Sequence, residues 1–169
     1  MKTNRSLLLL LFILILTSCG KGISPVPAVN PNLAIIEKAL DSFSATLVAN
    51  PPTQANLGGR IYSYISAHPT YFYGSTVTLL DDTGGKAIYS PYCFRKNGVI
   101  DSVSLMDTSY HIDKQDWLRQ PIDLGTSVWT APYFDAGGGE IWMRTRSVPI
   151  YIGGKIFAVA TTDLAVDKP

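Results

Sequence analysis

The feature that most restricts the fold is a stretch near the end of the chain, WTAPYFDAGGGEIWMRTRSVPIYIGGKIFAVATTDLAVD, from Trp129 to Asp167. Two strand-like runs surround the triple glycine Gly137–Gly139, and a third follows Gly153-Gly154. Successive side chains of a strand point to opposite faces. Trp142, Arg144 and Arg146 therefore share one face of their strand, while Ile141, Met143 and Thr145 take the other. By the same period Phe157, Val159, Thr161 and Asp163 share a face of the next strand. Glycine clusters between such runs mark hairpin turns, so the segment reads as an antiparallel meander. One face of that sheet calls for a helical cover, and the other holds a mixture of aromatic and charged groups.

The cover lies upstream. In LAIIEKALDSFSATLVAN, Ile36, Ala39, Leu40, Phe43 and Leu47 recur at steps of three and four, the period of an amphipathic helix. Glu37, Lys38, Asp41 and Ser44 form its polar face, Asn32 stands where an N-cap belongs, and Pro51-Pro52 stop it. A second helix is expected from about Thr53 to His68, with Leu57, Ile61 and Ile65 in register and Pro69 at its end. Beyond it the period changes. YFYGSTVTLL and KAIYSPYCFRK are β-branched and aromatic, the turn DDTGG joins them, and Asn97-Gly98 leads to a further short strand, VIDSVSL. DKQDWLRQPIDLG then crosses, helical or irregular, to the meander. Two helices segregated on one face of an antiparallel sheet make an α+β layout.

The front of the chain has a different character. Lys2 and Arg5 precede the apolar run Leu7–Leu16, which is followed by Thr17-Ser18-Cys19. A charged start, an apolar centre and small residues at the cut form a secretory signal peptide. The run is short of the roughly 20 apolar residues that a spanning helix needs. Ending on a cysteine, residues 1–18 resemble a bacterial lipoprotein signal with its lipobox. That resemblance implies cleavage before Cys19, a diacylglycerol on its thiol, and attachment to the cell envelope. An ordinary cleaved signal, or an uncleaved anchor with Cys19 incidental, is the alternative. Gly20 stands where an inner-membrane retention aspartate is often found, which points to the outer membrane in a cell that has one. Lys21–Pro31, KGISPVPAVNP, reads as a semi-extended tether, so residues 19–31 form a lipidated linker and 32–169 the domain.

Removing Lys2 and Arg5 with the signal leaves 12 basic residues against 13 acidic ones, a net charge of −1 that offers nothing to nucleic acid. With Cys19 acylated, Cys93 is alone, which excludes an internal disulfide and suits a small buried hydrophobe.

Five blocks carry a second resemblance: FYGSTVTLLDDTGG, YSPYCFRKNG, DWLRQP, WTAPYFDAGGG and RSVPIYIGGKIFAVATTDLAVD. In this order they resemble a Cache domain, the PAS-like extracytoplasmic sensor module of bacterial chemoreceptors and histidine kinases, over about Asn32–Asp167. The resemblance implies a five-stranded antiparallel sheet behind a long helix, and a small-molecule pocket between the sheet and its covering segments. It also implies candidate ligand-binding positions. Tyr110 and Trp117 match the amino-acid-binding pattern of that family, Asp163 stands where its later aspartate pairs with the ligand amine, and Tyr133 takes a lining position. Gln115 replaces the arginine that grips a ligand carboxylate, and Leu118 replaces a tyrosine. An amide cannot reproduce the paired charge-assisted bonds of a guanidinium, so generic amino-acid sensing is not expected.

Two ligand chemistries remain open at this level. Arg144 or Arg146, if turned into the cavity, would clamp a small organic acid. Otherwise Asp163 with Tyr110, Trp117 and Trp129 would hold a cationic amine through a carboxylate and aromatic faces. The plainer alternatives are an arginine-bearing strand face in solvent paired with Glu140 or Asp135, tryptophans that fill a core, and an aspartate bonded to nearby backbone.

Catalysis finds no support. His68 and His111 are far apart, no nucleophile-elbow spacing accompanies them, and no carboxylate cluster completes a metal site. No cofactor is expected. A Cache receptor normally continues into a membrane span and an output domain, so a chain ending soon after Asp167 is expected to depend on a separate membrane signalling protein. The competing expectation is a structural or protein-interaction lipoprotein that kept the fold without a working pocket.

Overall fold

The computed structural model describes residues 30–169. The expected signal peptide, Cys19 and the tether as far as Val29 lie outside the described residues.

Helix α1 spans Asn32–Ala49 and buries Ile36, Leu40, Ser44 and Leu47, with Ala39 and Phe43 packed beside them. Two details differ from the sequence reading. Pro31, not Asn32, holds the cap position, and Asn30 Oδ1 accepts from the Asn32 N–H at 3.0 Å. Ser44 faces inward rather than to solvent, because position 44 falls one helical turn from both Leu40 and Leu47. Helix α2, Gln54–Ser66, starts where Asn56 Oδ1 accepts from the Thr53 N–H at 3.0 Å, and it buries Leu57, Ile61, Tyr64 and Ile65. Arg60 donates to the carbonyl of Asn50 at 2.6 Å, which the end of α1 leaves open, and adds a second bond at 3.1 Å to the Thr46 carbonyl, which already accepts from the Asn50 N–H.

The sheet contains β1 Gly74–Leu80, β2 Ala87–Tyr89, β3 Pro91–Lys96, β4 Val99–Ser104, β5 Val128–Trp129, β6 Tyr133–Phe134, β7 Trp142–Ile152 and β8 Lys155–Ala165. Their order is β4-β3-β1-β8-β7-β5, with β2 beside β1 and β6 beside β7, and every pairing is antiparallel. Eight strands replace the five expected. The long ones are β1, β3, β4, β7 and β8; the three extra ones have two or three residues each. Ser90 splits the run expected as one strand into β2 and β3. Its hydroxyl bonds Thr76 and Thr78 and its carbonyl accepts from the Leu105 N–H.

Register divides the sheet into two faces. Thr145 lies opposite Asp163, and Arg144 lies opposite Leu164. Leu164, Ala160, Ala158, Ile150 and Val148 pack toward α1 and α2, together with Phe72, Cys93 and Trp129. Burial raises the Cys93 thiol above its ordinary range, as suits a packed rather than a reactive cysteine. The register shifts between Ile150 and Tyr151, where Tyr151 pairs with Ile156. That bulge turns Phe157 to the helix face, so Phe157 does not join Val159 as strict alternation expects.

The second face is covered as well. Two 3₁₀ turns, Thr108–Tyr110 and Ile112–Lys114, lead into helix α3, Asp116–Leu124, which buries Trp117, Leu118 and Pro121. Tyr110, Trp117, Leu118, Tyr92 and Phe94 cluster there with Val159. The crossing segment is thus a lid for the face away from α1 and α2. Among the described residues, no helix is long and apolar enough to cross a membrane.

Candidate functional site

Under α3, strands β3, β6, β7 and β8 bring two buried carboxylates into an aromatic and hydroxyl-rich cluster. Asp163 Oδ1 accepts from Thr145 Oγ1 at 2.7 Å, and its Oδ2 accepts from Tyr92 Oη at 2.8 Å. Asp135 Oδ1 accepts from Tyr110 Oη at 2.7 Å, and its Oδ2 accepts from the Gly139 N–H at 2.6 Å. The bonds continue outward. Trp117 Nε1 donates to Tyr110 Oη at 3.1 Å, Tyr133 Oη lies 2.8 Å from Thr145 Oγ1, and Tyr73 Oη donates to the Gly139 carbonyl at 2.6 Å.

Local sequence explains why the cluster closes. The Gly137–Gly139 turn folds back on Asp135, and Gly137 has a φ of 82°, which glycine adopts freely. A Cβ on Gly139 would stand 2.6 Å from Met143 Cε and 2.9 Å from Tyr73 Cε1, so only glycine brings this backbone so close. The triple glycine is therefore more than a flexible hairpin; its amide is a carboxylate ligand.

The electrostatics are one-sided. Asp163 is 3 % exposed and Asp135 is 4 % exposed. Burial, reinforced by the field of Asp135, raises the Asp163 carboxyl to about 7 against the bonds from Thr145 and Tyr92 that lower it. Burial also raises Asp135, opposed by its bonds from Gly139 and Tyr110. Desolvation and the two carboxylates together push the Tyr92, Tyr110 and Tyr133 hydroxyls well above their ordinary range, so all three remain neutral donors. Among the described residues, the ion pairs within 4.0 Å are Arg119–Asp123 and Arg146–Glu37, and neither involves Asp135 or Asp163. Two buried acids thus face each other's field with no protein cation beside them.

Of the residues singled out in the sequence, Tyr110, Trp117, Tyr133 and Asp163 meet here. Gln115 stands at the edge, where its Nε2 donates to the Tyr110 carbonyl at 2.8 Å and supports that turn. A cleft of about 340 Å³ opens at this edge, lined by Lys114, Gln115, Asp116, Gln120, Thr130, Ala131, Pro132 and Tyr133, so that its rim carries one charge of each sign. Tyr133 separates the cleft from Asp163, since its ring borders the opening and its hydroxyl reaches Thr145 behind.

Trp129, Arg144 and Arg146 do not join them. They lie on the helix face, where Trp129 Nε1 donates to Glu37 Oε1 of α1 at 2.7 Å and the Arg144 guanidinium stands 5.7 Å from the Trp129 ring centre. Arg144 Nε also donates to the Thr130 carbonyl at 3.1 Å, and an Arg146 nitrogen lies 4.0 Å from Glu37. The reason is parity: in the register that pairs Thr145 with Asp163, residues 144 and 146 face the other way. Neither arginine clamps an anion beside Asp163; the acid near Arg146 is Glu37 rather than Glu140 or Asp135, and Arg144 rests on the Trp129 ring and the Thr130 carbonyl.

The sequence reading passed over Tyr73, Tyr92 and Thr145, and gave Asp135 only a surface-pairing role. Thr145 is legible as lying with Met143 on the face opposite the arginines, but its place beside Asp163 follows only from the register of β7 on β8. Tyr92 and Asp135 come from strands whose partners the sequence does not reveal. His68 is half-buried against Phe72, its Nδ1 2.7 Å from the Tyr64 carbonyl, whereas His111 occupies an exposed turn with φ of 51°. Among the described residues, no group of three His, Cys, Asp or Glu side chains could hold a metal ion.

Comparison with known proteins places this architecture. Residues 60–168 match the family described as methyl-accepting chemotaxis protein-like, first PDC sensor domain. Among solved structures, the chain is similar to the extracellular domain soHK1S-Z6 of a protein described as a histidine kinase, with 24% identity and a TM-score of 0.66 over 80% of this chain and 54% of that one. It is also similar to the ligand-binding domain of the Campylobacter jejuni chemoreceptor Tlp3 in complex with L-valine, with 17% identity and a TM-score of 0.61 over 79% and 52%. The ligand-binding domain of the Pseudomonas aeruginosa PAO1 amino acid chemoreceptor PctC in complex with GABA aligns with 15% identity and a TM-score of 0.55 over 79% and 56%. The chain spans about half the length of these structures, and at such identities they speak for the fold alone. No curated protein matches the chain in sequence. The helix-backed antiparallel sheet, its lidded second face and the family match over most of the domain lead to one assignment: the chain belongs to the PDC sensor domains of methyl-accepting chemotaxis proteins and their relatives.

Proposed function

We propose that this sensor domain binds a small cationic amine at Asp135 and Asp163, and that it is carried on the outer side of a membrane by lipid on Cys19. The observation that carries the ligand reading is the pair of buried carboxylates without a protein cation, walled by Tyr92, Tyr110, Trp117 and Tyr133. A buried acid is costly in its charged form unless it is paired, and an ammonium group would supply the missing partner. Aromatic faces add attraction for the same charge. The cleft beside Gln115 and Tyr133 supplies the way in, with Tyr133 swinging aside to admit the ligand. Amine-bearing ligands in two similar structures, L-valine and GABA, support the class of ligand though not its identity. The lipid anchor rests on the order of residues in the first 19 positions. A lipid-held sensor would hand its signal to a separate membrane protein. The reading is of a binder rather than an enzyme, in keeping with a family of sensory domains.

A second reading is favoured by the completeness of the network. All four carboxylate oxygens have donors, and Tyr110, Trp117 and Asp163 are packed against one another rather than opened to solvent. On that reading the fold serves as an interaction scaffold and the cluster only holds it together. A thermal-shift screen of the purified chain against amines, amino acids and organic acids separates the two. An amine at about 100 times its dissociation constant should add roughly 2.7 kcal/mol, and Asp163→Asn should erase that response. Stabilisation by organic acids alone, or by no compound in the panel, would leave the scaffold reading in possession.

A further inference from the structure

The outer side of the α1–α2 pair is a surface that neither the sheet nor the carboxylate cluster uses. A groove of about 990 Å³ runs along it, and most of its exposed surface is apolar. On its floor Phe43 and Tyr64 lie flat against each other, with ring centres 4.4 Å apart and planes at 8°, and His68 leans on Tyr64 at 4.7 Å. The α2 side stays open because Gly59, Ser63 and Ala67 follow at steps of four and bring no bulk. Ile35 at the rim is 48% exposed, so the fold leaves apolar surface here in contact with water.

The charges along the groove have one sign. Lys38 and Arg60 line it, and no carboxylate does. The two cations are not equivalent. Arg60 is engaged with the carbonyls of Asn50 and Thr46, whereas among the described residues Lys38 has no ion pair within 4.0 Å. They also stand at opposite ends. Arg60 meets Thr46 and Tyr64 meets Phe43, so the helices run antiparallel and Lys38 comes level with Ala67 and His68. From Lys38 to Thr46 the groove extends roughly 12 Å at the helical rise. The occupant that fits carries one anionic head for the Lys38 end and an apolar body to lie over the rings. An extended peptide would instead set unpaired backbone groups on an apolar floor.

We propose that this groove binds a fatty acid, with its carboxylate at Lys38 and its acyl tail laid over Phe43 and Tyr64 toward Arg60. Apolar area removed from water on both partners supplies the affinity, and the ammonium group fixes the direction and selects the head. The groove lies on the far side of the sheet from Asp135 and Asp163, so this site is independent of the amine reading.

The test is photolabelling of the detergent-solubilised full chain with decanoate that carries a diazirine in its tail, the adducts being placed by peptide mass spectrometry. They should fall on the segments 35–46 and 59–68. Unlabelled decanoate should compete, and decanol or decylamine at the same concentration should compete much less. Lys38→Glu should lower the labelling by about fivefold or more, and Lys38→Arg should retain it. Ser63→Trp, at an exposed position on the open wall, should fill the groove and abolish labelling, with circular dichroism unchanged. Adducts scattered over the chain overturn the proposal, as does decanol that competes as well as decanoate. So does a Ser63→Trp variant that labels like the wild type, or labelling that falls as the chain is concentrated, which would give the groove to a second copy.

Discussion

The two faces of the sheet solve the same burial problem with opposite chemistry. Against α1 and α2 the face is apolar: Ile36, Leu40, Leu47, Leu57, Ile61, Ile65 and Phe72 are fully buried on Val77, Ala158 and Ala160. Such contacts are non-directional, and a lost methylene costs contact area rather than geometry. Against α3 the face is polar and directional, with each carboxylate oxygen matched to a donor. There a missing hydroxyl leaves a buried charge short of a partner, which costs more than the bond itself contributed. The contrast assigns bulk packing to one side and directional, pH-sensitive order to the other.

The largest expected effect tests the stable side. Phe72→Ala removes a side chain with no exposed surface and should cost about 3–5 kcal/mol in denaturant unfolding, with any ligand affinity per folded molecule unchanged. A loss near zero would mean that the helix face is not the main core.

The second effect is a pH dependence that belongs to the polar side alone. Asp163 titrates at about 7 in the fold, above its unfolded value, so the folded state binds the proton more tightly. Its contribution to stability is fully present below about pH 4 and is lost as pH rises through about 7. Thermal unfolding followed across that range should show this decline, and Asp163→Asn should flatten it. Amine binding should run the other way and tighten as pH rises through the same window, because the ammonium needs the ionised acid. An unchanged pH profile in Asp163→Asn would place the titration elsewhere.

Third, Tyr92→Phe deletes the donor to Asp163 Oδ2 and should cost about 1–3 kcal/mol at neutral pH and less in acid, where the carboxyl is protonated. The smallest effect joins the faces at their margin. Glu37→Gln keeps an acceptor for Trp129 Nε1 but removes the charge near Arg146, and should change stability by less than about 1 kcal/mol.

How much of this was legible in the sequence depended on the kind of order involved. The helix face could be read from local periodicity, since Ile36, Leu40 and Leu47 repeat within one element, and so could the α+β class and the meander of β7 and β8. The polar cluster could be read only in part. Tyr110, Trp117, Tyr133 and Asp163 were reached through resemblance, but Asp135, Tyr92 and Tyr73 meet Asp163 through strand order, which places β1 between β3 and β8 and is not written in any single segment. The arginines show the opposite case. Their parity against Thr145 was visible along one strand, yet deciding which parity meets Asp163 required the register of β7 on β8. Phe157 was misplaced because a bulge resets the alternation, and no turn residue in IYIGGKIF marks it.

Arg95 connects these two regimes. Its guanidinium donates to the carbonyls of Phe72 at 3.0 Å, Ile65 at 2.7 Å and His68 at 2.8 Å, gathering the end of α2 and the start of β1 onto β3. Three residues away on the same strand, Tyr92 holds Asp163. A single strand thus carries near one end a donor to the carboxylate pair and near the other a clasp on the last turn of α2. Substituting Arg95 would therefore unfasten the helix end and slacken, in the same stroke, the strand that presents the Tyr92 hydroxyl.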